Sequence, residues 1–136
     1  MKKILFVILY CLCLCGCEKK EVITICNYHG SDFPNEKHII TIKHVDDKIT
    51  YYKNEYETIY DTITEAQEEI DNYTKDLTCS NDVCYSSLEG DNGWKYKITR
   101  DNKTVFLTQE INNYEKSYNE VIKYLESLNS YECNEK

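Results

Sequence analysis

The chain has 136 residues and a formal charge of −8, enough for one core and too few for two built separately. Lys2 and Lys3 stand ahead of all 24 acidic residues, so loss of that N-terminal stretch takes two of the 16 cations and deepens the charge to −10; such a balance excludes a nucleic-acid partner. Beyond residue 17 the glycines are Gly30, Gly90 and Gly93, and Arg100 is the single arginine, so a glycine-rich phosphate loop or a bidentate arginine clamp has no raw material.

Residues 1–17 open with Lys2 and Lys3, continue as an apolar run over residues 4–14 and end in Leu14-Cys15-Gly16-Cys17, the layout of a secretory signal peptide. The run spans about 17 Å as a helix, well short of the roughly 30 Å hydrocarbon core, which disfavours a permanent transmembrane helix. The four closing residues resemble the lipobox of bacterial lipoproteins, in which a small residue precedes a cysteine that is diacylated on sulfur before cleavage. That resemblance implies a signal peptide over residues 1–16, lipid attachment at Cys17, a short tether over residues 17–21 and one domain over residues 22–136. The expected location is the extracytoplasmic side of the cell membrane, held there by the N-terminal lipid. The alternative is an ordinary secreted protein with a cysteine-rich hydrophobic region; a eukaryotic source would make Asn72 and Asn102 glycan acceptors.

Residues 21–28, with Val22, Ile23, Thr24 and Ile25, predict a first strand that Gly30 to Pro34 breaks. Residues 38–45 and 49–60 flank Asp46-Asp47-Lys48 as a hairpin, and a three-residue loop sets Ile42 opposite Tyr52, Ile40 opposite Asn54 and His38 opposite Tyr56. The even positions from Thr50 to Tyr60, with Tyr52, Tyr56 and Tyr60, then form an aromatic face, although a spacing of four also fits a helix. Thr62 with Glu65 has the capping-box pattern, and Ile63, Ala66, Ile70, Tyr73 and Leu77 follow as one stripe of an amphipathic helix. A turn between Cys79 and Cys84 leads to a short strand over residues 83–88 and a turn over residues 90–93. Trp94, Tyr96 and Ile98 alternate with Lys95 and Lys97, and an Asp101-Asn102 turn pairs Ile98 with Val105 and Tyr96 with Leu107. Asn112 with Glu115 caps a final helix striped by Tyr114, Tyr118, Val121, Ile122, Leu125 and Leu128, and Cys133 falls just past it.

The order βββαβββα argues an α+β domain, a mostly antiparallel sheet with two amphipathic helices on one face. The core is expected where Ile42, Tyr52, Trp94, Tyr96 and Ile98 meet the helical residues Ile70, Tyr73, Val121, Ile122 and Leu125. Of eight cysteines, Cys11, Cys13 and Cys15 leave with the signal and Cys17 carries lipid. Cys26, Cys79, Cys84 and Cys133 remain, which allows three connectivities outside a membrane. The turn-prone stretch between Cys79 and Cys84 favours that local pair, leaving Cys26 to meet Cys133.

The signal and lipobox, the strand ending near Cys26, the Asp46-Asp47-Lys48-Ile49 hairpin, the capped helix and the closing Tyr131-Glu132-Cys133 together resemble the YehR-like small bacterial lipoproteins over nearly the full length. The resemblance implies an α+β lipoprotein of unknown biochemical role with no catalytic residue to carry over. The Cys79–Cys84 pair and the tyrosine-rich strand depart from that pattern.

Asp46-Asp47 in a turn and Glu68-Glu69 on a helix exterior read as solvated pairs. No G-x-S-x-G occurs, and each cysteine of the domain has a disulfide role, so the expectation is no enzyme and no cofactor. His38 and His44 lie about 20 Å apart on one strand, too far to share an ion, and no cysteine pair has metal-ligand spacing. Tyr52, Tyr56 and Tyr60, with Trp94 and Tyr96, are either core or a stacking platform for sugar or peptide. Two functions therefore stand: a membrane-tethered module for an unidentified protein or cell-envelope partner, marked by an exposed aromatic groove, and an envelope structural protein without a small ligand.

Overall fold

The computed structural model describes residues 19–80, 83–86 and 93–136. The expected signal peptide, Cys17, most of the 90–93 turn and the middle of the stretch between Cys79 and Cys84 lie outside the described residues. The strands are β1 (Val22–Tyr28), β2 (Glu36–Val45), β3 (Lys48–Ile59), β4 (Leu77–Ser80), β5 (Val83–Ser86), β6 (Lys95–Asp101), β7 (Thr104–Asn112) and β8 (Tyr131–Glu135). Two helices interrupt them, α1 (Ile63–Thr74) between β3 and β4 and α2 (Tyr118–Ser127) between β7 and β8. All eight strands join one antiparallel sheet in the order β4-β5-β6-β7-β3-β2-β1-β8.

The β2–β3 hairpin pairs Ile42 with Tyr52, Ile40 with Asn54 and His38 with Tyr56. It reaches that register by a different route from the three-residue loop. Val45 pairs with Lys48 across Asp46-Asp47, and the register then shifts at Lys43/His44, leaving Thr50 as an extra residue on β3. The Thr50 hydroxyl donates to the Lys43 carbonyl at 3.1 Å, tying down the bulge. Asp46 takes the left-handed conformation at φ 51°, which a short polar side chain tolerates.

Val22 to Tyr28 and Glu36 to Val45 bury alternate residues, as strands lying on a core must. Thr24, Cys26, His38, Ile40, Ile42 and His44 are buried. Cross-strand pairing carries that face through Tyr52 to Leu107 and Val105 on β7. The principal cluster joins Cys26, Ile40, Ile42, Ile49 and Tyr52 to Val121 and Leu125 of α2. Trp94 and Ile122 pack against it from partly buried positions. Ile70, Tyr96 and Ile98 are half-buried outside this cluster, and Tyr73 is exposed. At the other end, Ala66 of α1 is fully buried and that helix contacts β4, β6 and β7.

Several expected boundaries give way to sheet pairing. The described residues hold two more strands than βββαβββα allows. The first helix does not reach Leu77, which opens β4 and pairs with Ser86; Thr74 turns its hydroxyl back to the Ile70 carbonyl at 2.8 Å in the last turn. Cys133 does not sit in a tail but in β8, where it pairs with Cys26 on β1. The β6–β7 turn is Asn102-Lys103 rather than Asp101-Asn102, because Asn102 is the residue that takes the left-handed conformation, at φ 55°. The register therefore moves by two, with Ile98 opposite Leu107 and Tyr96 opposite Gln109. An even shift leaves both strands on their expected face.

The final helix also starts later than Asn112. Pairing with β3 holds β7 extended through Asn112, and Ser117 with Glu120 forms the capping box of α2. The β2–β3 turn completes that helix end. The Asn119 N–H donates to Asp47 Oδ1 at 2.7 Å and the Tyr118 N–H to the Asp47 carbonyl at 2.9 Å, a carboxylate placed on the positive helix terminus. Lys19 pairs with Asp46 in the same turn. Asp46-Asp47 thus has a structural use.

Candidate functional site

Tyrosine takes 13 positions in the chain; Tyr52 belongs to the principal cluster, and Tyr114, Tyr118 and Tyr131 pack against it. Tyr52 lies 9% exposed, with its ring 4.9 Å from that of Tyr114 and edge-on to Trp94 at 6.1 Å. Trp94 also meets Tyr114 edge-on at 5.7 Å, so the three rings form one wall. Beside that wall, between β3 and α2, is a cavity of about 310 Å³. Tyr52 and Tyr114 form one side; Val121, Tyr124 and Leu125 of α2 form the other, with Lys116 and Glu120 completing the lining. Tyr124 stands 63% exposed at this opening.

Tyr52, Tyr56 and Tyr60 do not form one face for a ligand. Tyr52 and Tyr60 are about 27 Å apart along an extended strand, and only Tyr52 reaches the cavity. Tyr60 lies just past β3 beside a separate, open hollow with Phe33, Pro34 and Ile59. Tyr56 stacks on His38, ring centroids 3.9 Å apart and nearly parallel. Burial pushes the hydroxyls of Tyr56 and Tyr60 up to about 12 and that of Tyr52 higher still, with neighbouring tyrosines adding to the first and last. All three remain neutral phenols at physiological pH, able to hydrogen-bond and to present ring faces.

His38 is 8% exposed. Its Nδ1 accepts from the Tyr131 hydroxyl at 2.5 Å, which leaves Nε2–H to donate to Asn54 Oδ1 at 3.4 Å; Asn54 Nδ2 in turn donates to Gln109 Oε1 at 3.3 Å. The chain thus runs from β8 through β2 and β3 to β7. Burial depresses the imidazole to about 4 against the pull of the Asn54 hydrogen bond. His44 is likewise buried, stacked on Tyr118 at 3.6 Å, with Nδ1–H donating to the Asp46 carbonyl at 2.8 Å.

A pH effect follows. Between about pH 6.5 and 4 the unfolded chain holds a proton on His38 that the native state does not, so stability falls as pH is lowered through that range and levels off below it. The expected loss is about 2 kcal/mol, allowing for solvent screening at the ring edge. Glu36, whose carboxyl burial holds above its usual value, contributes with the opposite sign. The difference between the wild-type and His38→Gln urea-unfolding profiles isolates the histidine; identical profiles from pH 7 to 4 would refute it.

Among the described residues, no group of histidine, cysteine, aspartate or glutamate is arranged to hold a metal ion, and no helix is long and apolar enough to cross a membrane. Comparison of the chain with protein families, curated proteins and solved structures gives no match. Sequence reasoning missed Tyr114, Lys116, Glu120 and Tyr124. Only the pattern Ser117-x-x-Glu120, a second capping box that begins four positions before Val121, could have put the start of α2 in place and with it the cavity.

Proposed function

We propose that this chain is a lipid-anchored, non-catalytic binding module on the extracytoplasmic side of the membrane, built on the plan that the YehR-like lipoproteins suggest. The observation that carries the binding function is the cavity beside Tyr52, Tyr114 and Tyr124. It is of the size small-ligand pockets begin at, and it leaves aromatic surface open where a purely structural domain would close it. The finer fold reading belongs to this proposal: both helices cover one face of the sheet, so the cavity opens where α2 leaves that face incompletely covered. The strand registers put the buried side chains of β1, β2, β3 and β7 on a common face, Thr24 opposite Ile42 and Ile42 opposite Tyr52, with Leu107 opposite Tyr56, and both helices contribute buried residues, which supports it.

Lipidation at Cys17 would hold the domain close to the bilayer, since residues 18–21 reach only about 14 Å when extended. Cys17→Ser is expected to move the protein from the membrane fraction to the soluble extracytoplasmic fraction and to abolish labelling by a radioactive fatty acid. Retention in the membrane would refute the anchor. For the binding function, a photo-crosslinking amino acid at position 124 should form an adduct in living cells that the same group at Thr99, on β6, does not form. No adduct at position 124 would favour an envelope structural protein.

A further inference from the structure

We infer that the cavity between β3 and α2 is a site for a small zwitterion, a molecule carrying an ammonium and a carboxylate or phosphate group on a short apolar frame. The inference rests on the proposed binding function and names the ligand class for the same site. Four features of the lining point to it together.

The first is the Tyr52 hydroxyl. Tyr52 is nine-tenths buried and lines the cavity, yet among the described residues its hydroxyl has no hydrogen-bond partner. The hydroxyl keeps contact with solvent, since His44 Nε2 is the buried side-chain polar atom left unpartnered among the described residues, so a ligand oxygen can take the place of water on it. The second is Lys116, which lines the same space and makes no hydrogen bond or ion pair with another described residue. Its ammonium and the Tyr52 O–H are both donors, so they suit the anionic end of a ligand.

The third is Glu120. One of its carboxylate oxygens accepts from the Ser117 N–H at 3.1 Å, closing the capping box of α2. The other is left for a cation. The fourth is the ring surface of Tyr114 and Tyr124, which attracts an ammonium through the negative faces of the rings.

Charge balance then decides among ligand classes. A plain anion meets Glu120 and a plain cation meets Lys116. A neutral sugar makes use of neither charge. A zwitterion answers both, and its frame lies against Val121 and Leu125.

The test is titration of the folded full domain, read by the emission of Trp94, the single tryptophan, whose ring touches Tyr52 and Tyr114. Phosphocholine and glycine betaine serve as zwitterionic probes; choline, inorganic phosphate and N-acetylglucosamine serve as cation, anion and neutral probes. The expected result is saturable binding of at least one zwitterion, tenfold or more tighter than any singly charged or neutral probe. Lys116→Met, at an exposed position, is expected to weaken the zwitterion at least tenfold and to leave choline binding no weaker. Glu120→Gln keeps a capping residue and is expected to weaken the zwitterion while leaving phosphate binding no weaker. Tighter binding of N-acetylglucosamine, equal binding of choline or phosphate, or no response to any zwitterion would overturn the inference. An adduct at position 124 in cells alongside such a result would leave the binding module standing with a different ligand, whereas loss of the adduct would remove both.

Discussion

Removing the Cys26–Cys133 bond by the paired change Cys26→Ala and Cys133→Ala is expected to cost about 5 kcal/mol, against about 2 kcal/mol for the paired change Cys79→Ala and Cys84→Ala. The two bonds close loops of very different length, with sequence separations of 107 and 5, and the entropy that a crosslink removes from the unfolded chain grows with the logarithm of that length. The long bond also holds an edge. β8 is five residues long and, among the described residues, pairs only with β1, and Cys26 is fully buried in the principal cluster while Cys133 packs against it. Losing the bond would free β8 to fray and take the Tyr131 hydroxyl from His38. With whole-domain stabilities of about 5–15 kcal/mol, such a loss approaches unfolding. Urea titration of the oxidised wild type and both double variants measures the difference. A short-loop variant as destabilised as the long-loop one, or more so, would contradict the ranking.

What the sequence made legible was whatever depended on local chemistry. Thr62 with Glu65 marks a helix start because both halves of the capping box lie within one turn, and the structure has both. The register of β2 on β3 was legible because a bulged two-residue turn and a three-residue loop give the same pairing beyond Thr50, so the mistake about the turn cost nothing. What was hidden depended on partners distant in the chain. Tyr131-Glu132-Cys133 has no strand signal of its own; it becomes β8 because Cys26 lies opposite and β1 offers a free edge. Leu77 continues the helical stripe by spacing, yet pairing with Ser86 takes it into β4.

The site was hidden for the same reason. Tyr52, Tyr56 and Tyr60 share a parity, which made them look like one surface, but their surroundings differ along the strand: Tyr52 packs with Val121 and Leu125 of α2, while Tyr60 lies past the end of β3 beside Phe33, Pro34 and Ile59. Tyr114 and Lys116 came from a connection read as helix, and Tyr124 from the outer side of the final stripe. Asn112 and Ser117 each stand three residues before a glutamate, and nothing local separates the two capping boxes; the choice is made by β7, whose pairing with β3 extends through Asn112.

Tyr52→Ala is expected to cost about 3–5 kcal/mol, in the range of large aromatic truncations in a core. The ring contacts Trp94 and Tyr114 and belongs to the cluster with Ile42, Val121 and Leu125. Its removal would merge the vacated space with the adjoining cavity and admit water between β3 and α2. Trp94 should report this directly, with its emission moving to the red and quenching by iodide increasing in the native variant. Tyr52→Phe separates the ring from the hydroxyl. Since the hydroxyl has no partner among the described residues, its removal should change stability by less than about 1 kcal/mol, in either direction. The same substitution should weaken binding of a zwitterion in the cavity, because the donor aimed at its anionic group is gone. The pair of variants thus assigns stability to the ring and recognition to the hydroxyl. A Tyr52→Phe variant as destabilised as Tyr52→Ala would place the hydroxyl in a structural hydrogen bond, and a near-neutral Tyr52→Ala would show that the ring is not part of the core.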